Sequence, residues 1–216
     1  MGDYAIIGLG QFGKALARSL ARAGQSVMVL DRHAEEVQEI SSEVDAAVTV
    51  DATDEKTLLE LGLQKVSTAV VTIGLESMEA SILTTALLRQ IGVPRVVARA
   101  VSELHERVLR SVGAHVVINP EQEMGHRLAQ RLIQPSIKDA LEMGRAVVAE
   151  VDVPAQLAGK NLRELDIRNR LGVSVVAIRR GEEVLTNPGA TEALKPGDIL
   201  VVFGERDDVQ RLATLV

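Results

Sequence analysis

Residues 4–13 read YAIIGLGQFG. Tyr4-Ala5-Ile6-Ile7 is a short apolar run of the kind that forms a buried strand. It enters Gly8-Leu9-Gly10-Gln11-Phe12-Gly13. Beyond that turn Ala15, Leu16, Leu20 and Ala21 recur at helical spacing until Gly24. A second apolar run, Val27 to Leu30, ends in Asp31. Strand, glycine turn, helix, strand and acid within about 30 residues form a G-x-G-x-x-G fingerprint in the context its chemistry requires.

Each part has a physical task. Gly8 permits the tight turn out of the strand. Gly10 lacks a Cβ, so the backbone can approach a pyrophosphate, and Gly13 lets the helix pack on the sheet. The helix then presents free N–H groups and the positive end of its dipole to phosphate. Asp31 lies 23 positions after Gly8, close to the spacing of an acid that accepts hydrogen bonds from ribose hydroxyls.

Strand and helix go on alternating through residue 118. Apolar runs at 46–50, 68–73, 95–100 and 115–118 predict strands three to six, with helices at 34–42, 53–61, 77–91 and 102–111 between them. The pattern predicts an α/β fold, a Rossmann-like doubly wound parallel sheet. Its expected strand order is 3-2-1-4-5-6, with a ligand crevice at the carboxyl ends of strands one and four. Residues 121–134 predict a longer amphipathic helix, and Pro135 marks the domain boundary. The first domain is therefore 1–134. Residues 135–216 predict a small α+β lobe: a strand at 147–154, a short helix at 161–169, a hairpin across 179–182, a turn at 195–198, a strand at 199–203 and a closing helix at 205–212.

Composition narrows the function. Net charge is −6 and aromatics are 1% of the 216 residues, so phosphate-backbone attraction and base stacking are both weak; nucleic acid is not an expected partner. Cys is absent, which removes disulfides, thiolate catalysis and cysteine metal sites. No apolar run reaches the about 20 residues of a membrane span, and no secretory signal precedes the first strand. The four histidines are scattered, and no G-x-S-x-G, H-E-x-x-H or P-loop pattern occurs. Sensing is expected rather than turnover, so the chain is read as not an enzyme. The rivals are a small NAD(P)-dependent oxidoreductase and a stand-alone NAD(H)-binding sensor.

The candidate ligand-binding residues sit at strand ends. Gly8, Gly10, Gln11, Phe12 and Gly13 form the turn. Asp31 and Arg32 follow the second strand. Asp51, Ala52 and Thr53 follow the third, where Asp51 contacts adenine or ribose and Thr53 or Asp54 caps the next helix. Gly74 and Glu76 follow the fourth strand. Arg99 ends the fifth, as a phosphate contact or a surface ion pair. Glu121 follows the sixth, either holding a cation on phosphate oxygens or favouring a helix N-terminus.

These stretches together resemble the RCK (KTN) family, and within it the cytoplasmic regulatory subunits of bacterial Ktr-type potassium uptake systems. The resemblance rests on IIGLGQFG at 6–13, VDATDEKTLLELG at 50–62, VLRSVGAHVVINPEQEMGHRLA at 108–129 and LKPGDILVVFGERDDVQRL at 194–212. It implies a homo-octameric ring, a tetramer of dimers, on the inner face of the cell membrane beneath an integral-membrane potassium-translocating subunit. ATP would favour an activating ring shape and ADP an inactive one, with NAD(H) a family alternative. The family's cation-linked glutamate, for Mg²⁺ or another cation, maps onto Glu121, and its phosphate-side basic residue onto Arg99. Arg32 would stack beside adenine. Position 11 often carries an Arg that reaches the γ-phosphate; here it is Gln11, which leaves ATP against NAD(H) open. Some relatives bind cyclic di-AMP at the C-lobe dimer interface, where Arg168, Asn169 and Pro188 lie in comparable segments; the alternative is a lobe that only dimerises.

Overall fold

The computed structural model describes residues 3–74 and 77–215. Glu76 lies outside the described residues. Two compact units are present, Met1–Glu123 and Met124–Val216.

In the first unit six parallel strands lie in the order β3-β2-β1-β4-β5-β6, as the alternating pattern predicts. They are β1 (Tyr4–Ile7), β2 (Val27–Asp31), β3 (Ala46–Thr49), β4 (Thr68–Val71), β5 (Arg95–Arg99) and β6 (Val116–Ile118). Helices α1 (Gln11–Arg22), α2 (Ala34–Ile40), α3 (Glu55–Glu60), α4 (Met78–Gln90) and α5 (Glu103–Ser111) make the crossovers. Side chains alternate across a strand. Ala5 and Ile7 therefore pack into one core with Leu30, Leu58 and Leu88, while Ile6 packs into another with Val29, Val37 and Ile40. Both faces of the sheet are covered, which is why its strands read as unbroken apolar runs. Short polar residues start the helices. Asp54 Oδ1 accepts the Lys56 amide at 3.3 Å, Ser77 Oγ the Ala80 amide at 3.3 Å, and Ser102 Oγ the His105 amide at 3.2 Å.

Helix α6 (Pro120–Ile133) leads into an antiparallel sheet of order β10-β9-β11-β8-β7. Its members are β7 (Ile137–Met143), β8 (Ala146–Asp152), β9 (Ser174–Arg180), β10 (Glu183–Thr186) and β11 (Ile199–Glu205), with helices α7 (Leu162–Leu165), α8 (Ile167–Leu171) and α9 (Arg206–Ala213). The core gathers Val147, Val151, Ile178, Leu200, Val202 and Leu212.

Two features of this unit differ from the sequence reading. β7 is a strand that the pattern does not announce. It is a sheet edge, and Lys138, Asp139 and Glu142 keep it mostly in solvent. The helix expected at 161–169 is two short helices, because Asp166 turns left-handed at φ 44°. The turn at 195–198 is held by charge: Arg180 Nε and Nη2 donate to Asp198 Oδ1 and Oδ2, each at 2.9 Å, and the Asp198 side chain is 1% exposed.

Candidate functional site

A cavity of about 750 Å³ opens at the carboxyl ends of the first unit's strands. Ile7 lines it from β1 and Gly8 from just beyond, Leu30 and Asp31 from β2, Thr72 to Gly74 beyond β4, and Arg99 from β5. This is the crevice where strand order reverses, the usual ligand position of an open α/β sheet.

The glycine turn is built by close approach. Gly8 has φ +100°, and a Cβ there would come within 2.9 Å of the Ile73 nitrogen. A Cβ on Gly13 would lie 2.0 Å from the Gly8 carbonyl oxygen and 2.7 Å from Thr72 Oγ1. A Cβ on Gly10 would meet nothing within 4 Å. Gly8 and Gly13 are therefore small because protein presses on them, whereas Gly10 borders open space. Gly10 is also the N-cap of α1 and supplies no side-chain bond, so the first-turn amides of α1 have no side-chain cap. Free donors at a helix start suit an anion.

Asp31 joins the turn to the end of β2. Its Oδ2 accepts the Leu9 amide at 2.5 Å, and its Oδ1 accepts the His33 amide at 2.8 Å and meets His33 Nδ1 at 3.0 Å. Oδ2 keeps a lone pair for a further donor. Asp51 folds back on its own loop, accepting the Thr53 amide at 2.9 Å and the Thr53 hydroxyl at 2.7 Å. These bonds, with the charge of Arg32, hold its carboxyl below the usual range. Asp54, not Thr53, caps α3.

At the opposite wall Arg99 pairs with Glu121. Its Nε is buried and has no hydrogen-bond partner among the described residues. Its Nη1 lies 3.5 Å from where a Gly74 Cβ would stand.

The structure thus brings Gly8, Gly10, Asp31, Arg32, Asp51, Ala52, Thr53, Gly74 and Arg99 to one cavity. Gln11, Phe12 and Gly13 do not line it. Gln11 is exposed at the start of α1, Phe12 is half-buried and Gly13 is buried beneath the turn. Glu121 reaches the site through Arg99. Around Glu121 no cluster of three or more His, Asp or Glu side chains forms a metal cage among the described residues.

Two contributors are not apparent from sequence. Thr72 Oγ1 donates to the Gly8 carbonyl at 2.5 Å, and Thr84 Oγ1 donates to the Ala52 carbonyl at 3.2 Å. A threonine directly after the apolar run Ala69-Val70-Val71 is the signal for Thr72. Nothing comparable marks Thr84, which sits among helix residues.

Residues 4–120 match the TrkA-N domain, and residues 147–216 match the TrkA-C domain. The chain belongs to the TrkA-N/TrkA-C (RCK) family. It is 38% identical over 210 residues to the Ktr system potassium uptake protein C of Bacillus subtilis (strain 168), covering 97% of this chain and 95% of that one. It is 32% identical over 206 residues to the Ktr system potassium uptake protein A of Vibrio alginolyticus, covering 95% and 93%. Among solved structures, a GsuK channel bound to NAD superposes with a TM-score of 0.66 at 20% identity, over 99% of this chain and 39% of that one. At that identity the likeness is one of fold. Among the described residues, no helix of this RCK protein is long and apolar enough to cross a membrane.

Proposed function

We propose that this protein is the regulatory subunit of a Ktr-type potassium uptake system, and that its first unit senses an adenine nucleotide. The observation that carries the reading is the juxtaposition of Asp31 and the α1 N-terminus across the glycine turn, with Arg99 on the far wall of the same 750 Å³ cavity. A ribose acceptor, a set of free amides and a guanidinium are what an adenosine phosphate needs. Relatives with 31–38% identity over nearly the whole chain are Ktr system potassium uptake proteins, which supports the transport setting.

The partner is an integral-membrane potassium-translocating subunit, and the protein works on the inner face of the cell membrane as a homo-octameric ring built as a tetramer of dimers. ATP and ADP shift the ring only by their difference in affinity for its two shapes. Arg99 contacts phosphate, Arg32 and Asp51 flank adenosine, and Glu121 supplies one oxygen to a cation, such as Mg²⁺, on the phosphates. In the second unit Arg168, Asn169 and Pro188 are the residues proposed for cyclic di-AMP. Arg168 and Asn169 are exposed, and Asn169 Nδ2 donates to Asp166 Oδ1 at 2.7 Å.

Gln11 favours a second reading, an NAD(H) sensor. It is uncharged and lies off the cavity wall, so it supplies no cation to a γ-phosphate. A catalytic oxidoreductase is the weaker rival: His33, which lines the cavity, rests its ring on Asp31 at the ribose end.

Calorimetric titration with ATP, ADP, NAD⁺ and NADH decides among them, with sedimentation run on each loaded sample. Tight ATP and ADP binding to a large oligomer whose shape differs between the two is the expected result. Binding of NAD(H) alone sinks the ATP switch. A monomer, or steady NADH consumption with a substrate, sinks the regulatory reading.

A further inference from the structure

The two oxygens of the Asp31 carboxylate offer about four acceptor positions. Oδ1 accepts the His33 amide at 2.8 Å and meets the His33 ring nitrogen Nδ1 at 3.0 Å. A carboxylate oxygen accepts, so the ring nitrogen is the donor. Oδ2 accepts the Leu9 amide at 2.5 Å. A backbone amide thus grips each oxygen, and the side chain is only 11% exposed, so the carboxylate is not free to turn. The position left open is on Oδ2.

A ribose presents two neighbouring hydroxyls, at C2′ and C3′. A carboxylate that receives both needs two open positions. At Asp31 the second is taken by a side chain and not by backbone, and that side chain lines the same cavity. His33 is the N-cap residue of α2, yet its side chain makes no cap bond. It is 55% exposed, so the ring is held by Asp31 more than by packing.

We propose that His33 is a specificity-determining residue: its ring occupies Asp31 Oδ1, so Asp31 accepts a single sugar hydroxyl, and the site takes adenosine ligands whose sugar lacks the other one. This rests on the nucleotide-sensing reading and adds to it the class of sugar that is admitted. The two hydroxyls are unequal for a physical reason. One meets a charged, largely buried acceptor, and a ligand without that donor leaves the acceptor unpaired. The other meets a position already filled, so its removal costs little.

The test is calorimetric titration of the full chain, of His33→Ala and of His33→Phe. The ligands are ADP or NAD⁺, whichever the parent protein binds, and the forms of that ligand with 2′-deoxy or 3′-deoxy sugar in the adenosine half. In the parent protein one deoxy form should bind about tenfold or more weaker than the ribose ligand, and the other within about twofold of it. Both variants keep the amide at residue 33 and free one position on Oδ1. His33→Ala should therefore bind the ribose ligand about two- to fivefold tighter, the modest size expected where an exposed contact is exchanged. The deoxy form that the parent tolerates should keep its affinity and so fall behind the ribose ligand by that factor. His33→Phe, which retains a flat ring without the donor, should follow His33→Ala. A change in fold alone would move all three ligands together and leave their ratios as they were. Equal losses for the two deoxy forms in the parent protein overturn the proposal, as do unchanged ratios in His33→Ala or a His33→Phe that behaves like the parent. A parent indifferent to both deletions removes Asp31 from sugar recognition, and the proposal with it. A parent that takes up no adenine ligand overturns the nucleotide reading itself.

Discussion

Asp31 is tied to the turn that precedes it by 22 residues: its Oδ2 accepts the Leu9 amide at 2.5 Å. The carboxylate at the end of β2 therefore fixes the glycine turn at the end of β1. Asp31 lines the cavity, and its Oδ2 keeps a lone pair for a further donor. Under the nucleotide-sensing proposal, the residue assigned to ribose also fixes the turn assigned to phosphate.

Asp31→Ala should consequently weaken every adenosine ligand, whatever its phosphate count. Charge-assisted hydrogen bonds of this kind contribute about 1.5–3 kcal/mol, or roughly 10- to 100-fold in affinity. Titration with adenosine, ADP and ATP, on protein shown by circular dichroism to be folded, measures it. Unchanged affinity for adenosine would falsify the assigned role.

Gly10 and Gly13 should separate cleanly. Gly13→Ala forces a Cβ to within 2.0 Å of the Gly8 carbonyl, which cannot yield without moving β1. Overpacking of this sort costs about 1–3 kcal/mol or more, and urea unfolding should show it. A methyl on Gly10 finds open space in the protein, so its cost to folding should stay near that of a weakened N-cap, about 1 kcal/mol. It projects where a phosphate must come, and nucleotide binding should fall at least tenfold. If Gly10→Ala binds normally, the phosphate does not sit on this turn.

Thr72→Val keeps the volume but removes the hydroxyl that donates to the Gly8 carbonyl. The buried site offers no water in exchange, so the variant should lose about 1–2 kcal/mol in chemical denaturation. Thr72→Ser should lose less, because the donor remains. A Val variant as stable as the parent, with the loss confined to Ser, would mean that the methyl contact, not the bond, matters.

The sheet and its ligand edge were legible because local signals and global order agree there. Apolar runs alternate with helical patterns, and Gly8, Asp31, Asp51, Gly74 and Arg99 stand at or just past the ends of the first five strands. Asp31, Asp51 and Arg99 line one cavity for that reason. What sequence did not disclose is pairing. That Asp31 holds Leu9, that Thr72 supports Gly8 and that Arg99 meets Glu121 depend on parallel strands bringing together residues up to 64 apart. β7 escaped notice because an exposed edge strand needs little apolar alternation. The break at Asp166 escaped because a left-handed aspartate looks like any helix residue in sequence.

In the second unit the buried Asp198 offers a pH test. The Arg180 guanidinium, with the Lys195 amide in support, holds its carboxyl below the ordinary range. A depressed carboxylate contributes stability that is whole above its unfolded value, about 3.9, and is lost as pH falls through the lower folded value. Asp198→Asn removes the charge and one of the two acceptors of Arg180, which keeps Glu192, the Ala193 carbonyl and a single amide oxygen. Its melting temperature at pH 7 should fall by on the order of 10 °C. The gap from the parent protein should stay constant down to about pH 5 and close as the pH drops below about 4. Melting curves of both proteins across that range decide the matter. A gap as wide at pH 3 as at pH 7 would show that the lost stability comes from shape at the 195–198 turn and not from the charge pair.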